Sequence, residues 1–404
     1  MTPEKTPQAA AGIGCAHETL EEPAAVKSRR RALTIGLPRC NHPSERRFPL
    51  TPEGARLLIE LGFRVKMEEG AATVIHYPDA SYSRCGAEIC SRREALECDI
   101  VVSLAPPALS DIRMMRRGGM LLTLSNFCRV TREEVRTLLD CNILTIAIDM
   151  IEDERGNRPF ADVLAELAGR AAIARASSLL ADSVHGKGIL LGGVAGVVPC
   201  EVTVIGSGIA GCSAARSASG AGALVRLFDH DVYRLREACR ELGQGVVASA
   251  LHPRVVANAL RSADVVIYTD VSPRPVFGAD EVAEMKRGVV VFDLSDDCGK
   301  TFPSLPAIDL AEVRPCDVAP TEPTRACYVN AGSYVPRTAA MALSNTFITM
   351  LRPLIDTEGT LNALKLQPGL QHAALTFMGK AVDSTIAAKA GVRHFDINLF
   401  LTLS

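Results

Sequence analysis

Four absences constrain this protein. Its longest apolar run, Ile189 to Val198, is short and broken by glycines, well below the ~20 residues that span a bilayer. No membrane segment is expected. The first 30 residues carry no apolar h-region, so residues 1–31 read as a disordered polar extension rather than a signal peptide. The formal net charge is only −2, and no global field points to nucleic acid or to an anionic membrane. The 13 cysteines are odd in number, and no two are spaced as CxxC. Cys90, Cys98, Cys141 and Cys212 sit in apolar or helical contexts, which fits buried free thiols in a reducing, cytoplasmic compartment and argues against a metal site. Internal repeats and low-complexity blocks are missing as well.

What remains is an ordinary globular composition, 48% hydrophobic and 22% charged, in a chain of 404 residues. That length suits two domains at roughly 150 residues each. From Ala32 onward, short apolar strands alternate with amphipathic helices. Strands are expected at Ala32 to Leu37, Arg64 to Glu68, Ile100 to Leu104, Met120 to Leu124 and Ile143 to Ile148. Helical stretches such as Pro52 to Leu61, Ser110 to Arg116 and Arg132 to Leu139 separate them, the pattern of βαβ units on a parallel sheet. A longer helical run, Ala161 to Ser183, leads through the glycine-rich segment Leu191 to Pro199 into a second series of strands. The later ones are Gly245 to Ala248, Asp264 to Tyr268 and Val289 to Leu294, completing a six-stranded fold near residue 335. The tail carries helix-like segments at Thr338 to Leu351 and Ala373 to Lys389, and is too short for an α/β domain of its own. The expected architecture is therefore α/β with two Rossmann-like domains and a cleft between them. Residues 32–160 and 336–404 would form a discontinuous substrate domain, and 161–335 a nucleotide-binding domain.

The second series opens with the most informative segment of the chain, Glu201 to Asp229. An apolar strand (Val202, Val204, Ile205) runs into Gly206-Ser207-Gly208-Ile209-Ala210-Gly211, a helical run follows, and the next strand ends on Asp229. The glycines differ in what they permit. Gly206 makes the tight turn, Gly208 lets backbone approach a pyrophosphate, and Gly211 lets helix and strand pack closely. Ser207 and Ile209 lie in the same turn, where the helix N-terminus offers free N–H groups to phosphate. Asp229, about 20 residues beyond the first glycine, would accept the adenosine ribose hydroxyls and repel a 2′-phosphate. The expected cofactor is NAD rather than NADP.

Four local sequences, in order, carry a resemblance to a known family: Arg46-Arg47-Phe48-Pro49-Leu50-Thr51-Pro52, Gly192-Gly193-Val194-Ala195-Gly196-Val197, the fingerprint itself, and Phe292-Asp293-Leu294-Ser295-Asp296-Asp297. The chain resembles the alanine dehydrogenase and nicotinamide nucleotide transhydrogenase N-terminal family over roughly residues 32 to 350, and its C-terminal half looks like the alanine dehydrogenase side. The resemblance implies oxidation of a 2-amino acid by NAD to a 2-oxo acid and ammonia, usually by a homo-oligomer; a dimer or a hexamer is compatible with this chain. It assigns Arg47 to the substrate carboxylate, for which a guanidinium fork is suited. Asp297 would orient the amino group or water and contact the nicotinamide ribose. Asn330 would reach the ribose or carboxamide. Arg234 matches a basic position near the adenosine ribose, or is a surface arginine.

Departures from the family accompany these matches. Where the family has a substrate-binding lysine this chain has Ser103, and where it has an acid/base histidine this chain has Asn126. Neither replacement titrates near pH 7. Ala165 stands where a serine is usual and Tyr268 where a small residue is usual, while Cys298-Gly299-Lys300 replaces QGG. His42 and His76 lie in the first domain and either enter the cleft or are loop histidines. Two functions of different class follow: an NAD-dependent dehydrogenase whose pocket Ser103 and Asn126 reshape, or a nucleotide-binding protein that has lost turnover and acts as a sensor or subunit partner. A third, the nucleotide domain of a proton-pumping transhydrogenase, would require a membrane partner.

Overall fold

The computed structural model describes residues 32–125, 127, 129–312, 326–356 and 360–401. The expected extension over residues 1–31 and the candidate Asn126 lie outside the described residues. Two sheets organise the rest. In the first, β1 (Thr34–Leu37), β2 (Arg64–Glu68), β3 (Glu88–Cys90), β4 (Ile100–Val102), β5 (Met120–Thr123) and β6 (Leu144–Ala147) pair in parallel. The second contains β7 (Glu201–Ile205), β8 (Leu224–Asp229), β9 (Val246–Ala250), β10 (Val265–Tyr268), β11 (Val290–Asp293), β12 (Ala307–Asp309) and β13 (Cys327–Val329), all parallel. The chain then returns to the first sheet, where β14 (Ala374–Phe377) pairs antiparallel with β6, and β15 (Lys380–Ala381) with β14.

The orders are β15-β14-β6-β5-β4-β1-β2-β3 and β12-β13-β11-β10-β7-β8-β9. Both reverse direction beside their first strand, between β1 and β4 and between β7 and β10. Ligands of open α/β sheets bind at the carboxyl ends of strands at such a reversal. Composition explains the parallel pairing. β4, β10 and β11 are built from Val, Ile and aromatic side chains, save for Asp293 at the end of β11, and are buried along their whole length, as strands covered by helices on both faces must be. Helix starts follow their caps: Thr51 Oγ1 accepts the Gly54 N–H ahead of Pro52, and Ser91/Glu94 and Thr131/Glu134 form capping boxes.

One helix, Pro159–Ala181, serves both lobes. Near its start the Phe160 ring packs on Phe347 of the helix Pro336–Asp356, centroids 4.7 Å apart, an aromatic pair contributing about 0.5–1.5 kcal/mol beyond area burial. Further along, Gly169 lies so close to the helix Ile209–Gly220 that a Cβ there would collide with Ala210 O. No helix among the described residues is long and apolar enough to cross a membrane.

Two expectations are corrected. The second sheet has seven strands, not six; β12 is a three-residue edge strand, partly exposed, and too short to show a period. The tail segment Ala373 to Lys389 is not one helix. It forms the β14–β15 hairpin and then the helix Ser384–Ala390. Met378 and Gly379, both at positive φ (48° and 70°), make the two-residue turn, the geometry that joins tightly paired antiparallel strands. A methionine at that position gives no turn signal in sequence.

Candidate active site

The nucleotide end of the site begins where β7 stops. Gly206 has φ 107° and a Cβ there would collide with Thr269 Oγ1; one on Gly211 would collide with Gly206 O. Gly208 differs: a Cβ would meet nothing within 4 Å. Its backbone borders open space at the N-terminus of the helix Ile209–Gly220. The described residues thus fit a pyrophosphate there, since the helix N–H groups face outward and no side chain fills the approach. Ile209, 45% exposed, borders the same mouth.

Asp229 ends β8 buried beneath that turn. Its Oδ2 accepts the Ser207 N–H and Oγ–H, both at 2.7 Å, and its Oδ1 accepts the Asp231 N–H at 3.0 Å. Burial pushes the carboxyl up, but the hydrogen bonds from Asp231 and Ser207, with the Arg234 charge, outweigh it and hold the group below the usual aspartate range. Asp229 is therefore an anion at neutral pH. The Arg234 N–H joins the helix cap on Asp231 Oδ1, and its guanidinium stands 4.0 Å from Asp231 Oδ2.

The loop after β11 carries Asp297. Asp293, fully buried, shapes it: Oδ1 accepts Ser295 N–H (3.0 Å) and Oγ–H (2.5 Å), and Oδ2 accepts Gly299 N–H (3.0 Å). Asp297 Oδ2 receives Lys300 Nζ at 2.8 Å, while Arg274 donates to the Asp297 carbonyl at 3.1 Å. The carboxylate has cationic company that its motif does not reveal. Asp293 had a legible signal, an Asp two residues ahead of a Ser at a strand end, which is an Asx-turn pattern.

In the first lobe Arg47 is held by a near neighbour in sequence. Glu45 lies two positions earlier, its side chain fully buried, and takes Arg47 Nε at 2.8 Å, Nη2 at 2.5 Å and the Arg47 N–H at 2.8 Å. Burial disfavours the guanidinium charge, but Glu45, with Asp149 behind it, more than offsets this and raises its pKa. The fork is thereby neutralised, and Nη1 is left facing Gly332. Asn330, in the left-handed region at φ 59°, donates from Nδ2 to Ser44 O (2.6 Å) and Asp309 Oδ1 (2.9 Å) and accepts Ser333 Oγ–H at 2.9 Å. Ser333 also approaches Glu45 Oε1 at 3.5 Å. Arg47 and Asn330 thus belong to one cluster joining the lobes, and the Asn330 amide is committed to protein groups.

Ser103, just past β4, lines a cavity together with Arg39, Cys40 and His42 from the loop after β1. Its hydroxyl donates to Ala105 O at 2.8 Å. Burial pushes the Cys40 thiol up to about 11, so it is neutral. Asp149, at the end of β6, accepts Ser125 N–H and Oγ–H at 2.7 and 2.6 Å. Burial raises its carboxyl above the usual range, the Ser125 bonds counter this, and Asp296 from the other lobe adds to the rise. Asp297 thus stands on the nucleotide lobe, and Arg47 and Ser103 stand on the first.

Two Rossmann-type lobes, one presenting a complete glycine fingerprint and the other a polar cavity at its own strand reversal, define a two-domain dinucleotide-binding protein. The chain belongs to the alanine dehydrogenase/PNT family: its N-terminal domain model matches residues 36–171 and its C-terminal domain model residues 172–384. Among curated proteins it is 29% identical to the alanine dehydrogenase of Mycolicibacterium smegmatis, over 91% of this chain and 100% of that one. It is 28% identical to the alanine dehydrogenase of Mycobacterium tuberculosis, over 89% and 97%. Among solved structures, an L-alanine dehydrogenase superposes with a TM-score of 0.77 at 26% identity, covering 88% of this chain and 99% of that one. A transhydrogenase from Sinorhizobium meliloti shares the fold, with a TM-score of 0.70 at 21% identity over 86% and 100%.

Proposed function

We propose that the chain is an NAD-dependent oxidoreductase that interconverts a small 2-amino acid with the corresponding 2-oxo acid and ammonia. The observation that carries the cofactor half of this reading is the open approach over Gly208, set between glycines that packing does require and beside an anionic Asp229. Alanine dehydrogenases similar over nine-tenths of this chain support the substrate class. When bound, NAD would supply the hydride acceptor. The overall change is balanced: the Cα hydride leaves to the cofactor, an amine proton is released, and water hydrolyses the imine to the 2-oxo acid and ammonia.

The residues divide that work between lobes. Gly206, Ser207, Gly208, Ile209 and Gly211 seat the pyrophosphate, and Asp229 accepts the adenosine ribose hydroxyls, with Arg234 at the rim. Asp297, paired with Lys300, orients the amine or the water from the nucleotide side. Arg47 contributes Nη1 as a hydrogen-bond donor, its charge being balanced by Glu45. Ser103 shapes the wall, and Asn330 sets the spacing between the lobes.

A second reading is favoured by two specific observations, the closed Arg47–Glu45 fork and the Ser103 hydroxyl bonded to its own loop: a nucleotide-binding protein without turnover. One assay separates them. NADH oxidation followed at 340 nm with ammonium and a panel of 2-oxo acids should show ammonium-dependent turnover on at least one acid. Tight NADH binding with no turnover on any would establish the second reading instead.

A further inference from the structure

Oxidation of an amine needs a group that takes a proton. Ser103 and Asn126 stand where the family carries its lysine and histidine, and neither titrates near pH 7. The junction of the lobes holds a carboxylate that the sequence motifs do not name. Asp149 lies in the turn Ile148–Met150 after β6, and Ser125 lies just past the neighbouring strand β5. These are the carboxyl ends of two parallel strands, the edge at which open α/β sheets hold ligands. Ser125 donates its N–H to Asp149 Oδ1 at 2.7 Å and its Oγ–H to Oδ2 at 2.6 Å. Both residues are half-buried. One donor on each oxygen fixes the carboxylate and leaves room for a substrate N–H, since an ionised carboxyl accepts about four bonds.

Charges from both lobes act on this group. On its own lobe the Asp149 charge is felt by the Arg47 guanidinium, which Glu45 holds. From the other lobe Asp296 acts on Asp149, and Asp296 immediately precedes Asp297 in the loop after β11. Asp149 is thus set where the Arg47 cluster and the Asp296–Asp297 loop meet. Burial raises its carboxyl above the usual range, the Ser125 bonds oppose that, and Asp296 adds to the rise. A base stronger than an ordinary aspartate is closer to working pH, as proton transfer requires. The two histidines singled out in the sequence lack this placement: His76 is exposed, and His42, in the cavity beside Ser103, has its Nδ1 taken by the Ser44 N–H at 3.2 Å.

We infer that Asp149, held by Ser125, is the catalytic residue that moves the amine proton in this protein. This rests on the reaction proposed above. An N–H bond of the substrate ammonium breaks and its proton passes to an Asp149 oxygen. The electron pair left on nitrogen closes the C=N bond as the Cα hydride departs to oxidised NAD, and the carboxyl later returns the proton to solvent. The amine is oxidised, NAD is reduced, and charge is conserved.

The test uses the full-length wild type, Asp149→Asn and Ser125→Ala, with the amino acid whose 2-oxo acid the ammonium assay turns over. NAD reduction is followed from acid to neutral pH, and NADH binding by fluorescence. Asp149→Asn should lower kcat about a hundredfold or more with NADH affinity unchanged. In Ser125→Ala the carboxylate loses a donor, so its pKa rises and the acidic limb of kcat/KM should move to higher pH. A residue that only held the loop would lower the rate without moving the limb. Turnover that Asp149→Asn leaves intact, or an acidic limb that Ser125→Ala does not move, overturns the assignment while sparing the reaction. A wild type that binds NADH and turns over no acid overturns both.

Discussion

A methyl group on Gly208 would meet nothing, whereas one on Gly211 would collide with Gly206 O. Gly208 also has φ −73° and ψ −173°, a conformation open to any L-residue. The two glycines should therefore separate function from folding. Gly208→Ala should leave the unfolding midpoint unchanged or slightly raised, the effect of a less flexible unfolded chain being about 0.4–1 kcal/mol, while NAD(H) affinity falls because the methyl occupies the approach to phosphate. Gly211→Ala should lower both, with a clear loss of thermal stability from the overpacked helix–strand contact. Differential scanning fluorimetry with and without NADH reads both effects at once. A Gly208→Ala protein that binds NADH as the wild type does would remove the phosphate assignment from this turn.

Among the elements, the helix Pro159–Ala181 couples the lobes because it carries two kinds of contact. Aromatic packing of Phe160 on Phe347 anchors one end, and the close approach at Gly169 sets its distance from the helix that starts the fingerprint. A side chain at Gly169 must push on Ala210, one residue from the phosphate-facing N-terminus. Gly169→Leu is expected to destabilise by about 1–3 kcal/mol, the usual range for overpacking, and to weaken NAD(H) as well, although residue 169 borders no cofactor atom in this reading. Thermal melts and fluorescence titration with NADH test the pair; a Gly169→Leu protein with unaltered melting would show that the interhelical contact is slack.

At the scale of the whole molecule the two lobes meet through polar groups of both attractive and repulsive kind. Asn330, Ser44, Asp309, Glu312 and Ser333 tie them by hydrogen bonds. Against these, the Asp296 charge of the second lobe acts unfavourably on the Asp149 carboxylate of the first. Burial raises the Asp149 carboxyl, the Ser125 hydrogen bonds work the other way, and Asp296 reinforces the rise, with the Arg47 guanidinium the nearby cation. A folded-state pKa above the ordinary value of about 3.9 means that the protonated form is favoured in the folded protein. Its stabilising contribution is thus complete below that value and is lost as pH rises through the folded-state pKa. Wild type and Asp149→Asn should accordingly converge in acid, and the wild type should lose stability relative to the variant as pH rises through that titration. Chemical denaturation of both across an acid-to-neutral series measures the difference; a constant offset would mean that Asp149 titrates normally.

Much of this arrangement was written locally. Apolar runs separated by helical periods give β1, β2 and β4 to β6, and the glycine spacing with a terminal aspartate gives the nucleotide turn, because both depend on residues within about thirty positions of each other. The hairpin β14–β15, the edge strand β12 and the pairing of β14 with β6 were decided by tertiary structure. Each is too short to show a period, and β14 finds its partner more than two hundred residues away. The same division runs through the site. Arg47 could be named from its motif, but that Glu45 closes its fork follows from both side chains turning into one dry pocket, where a charge must be paired. Asn330 can likewise be named from the sequence, but its amide is taken up by Ser44 and Asp309, partners that only the folded chain brings together.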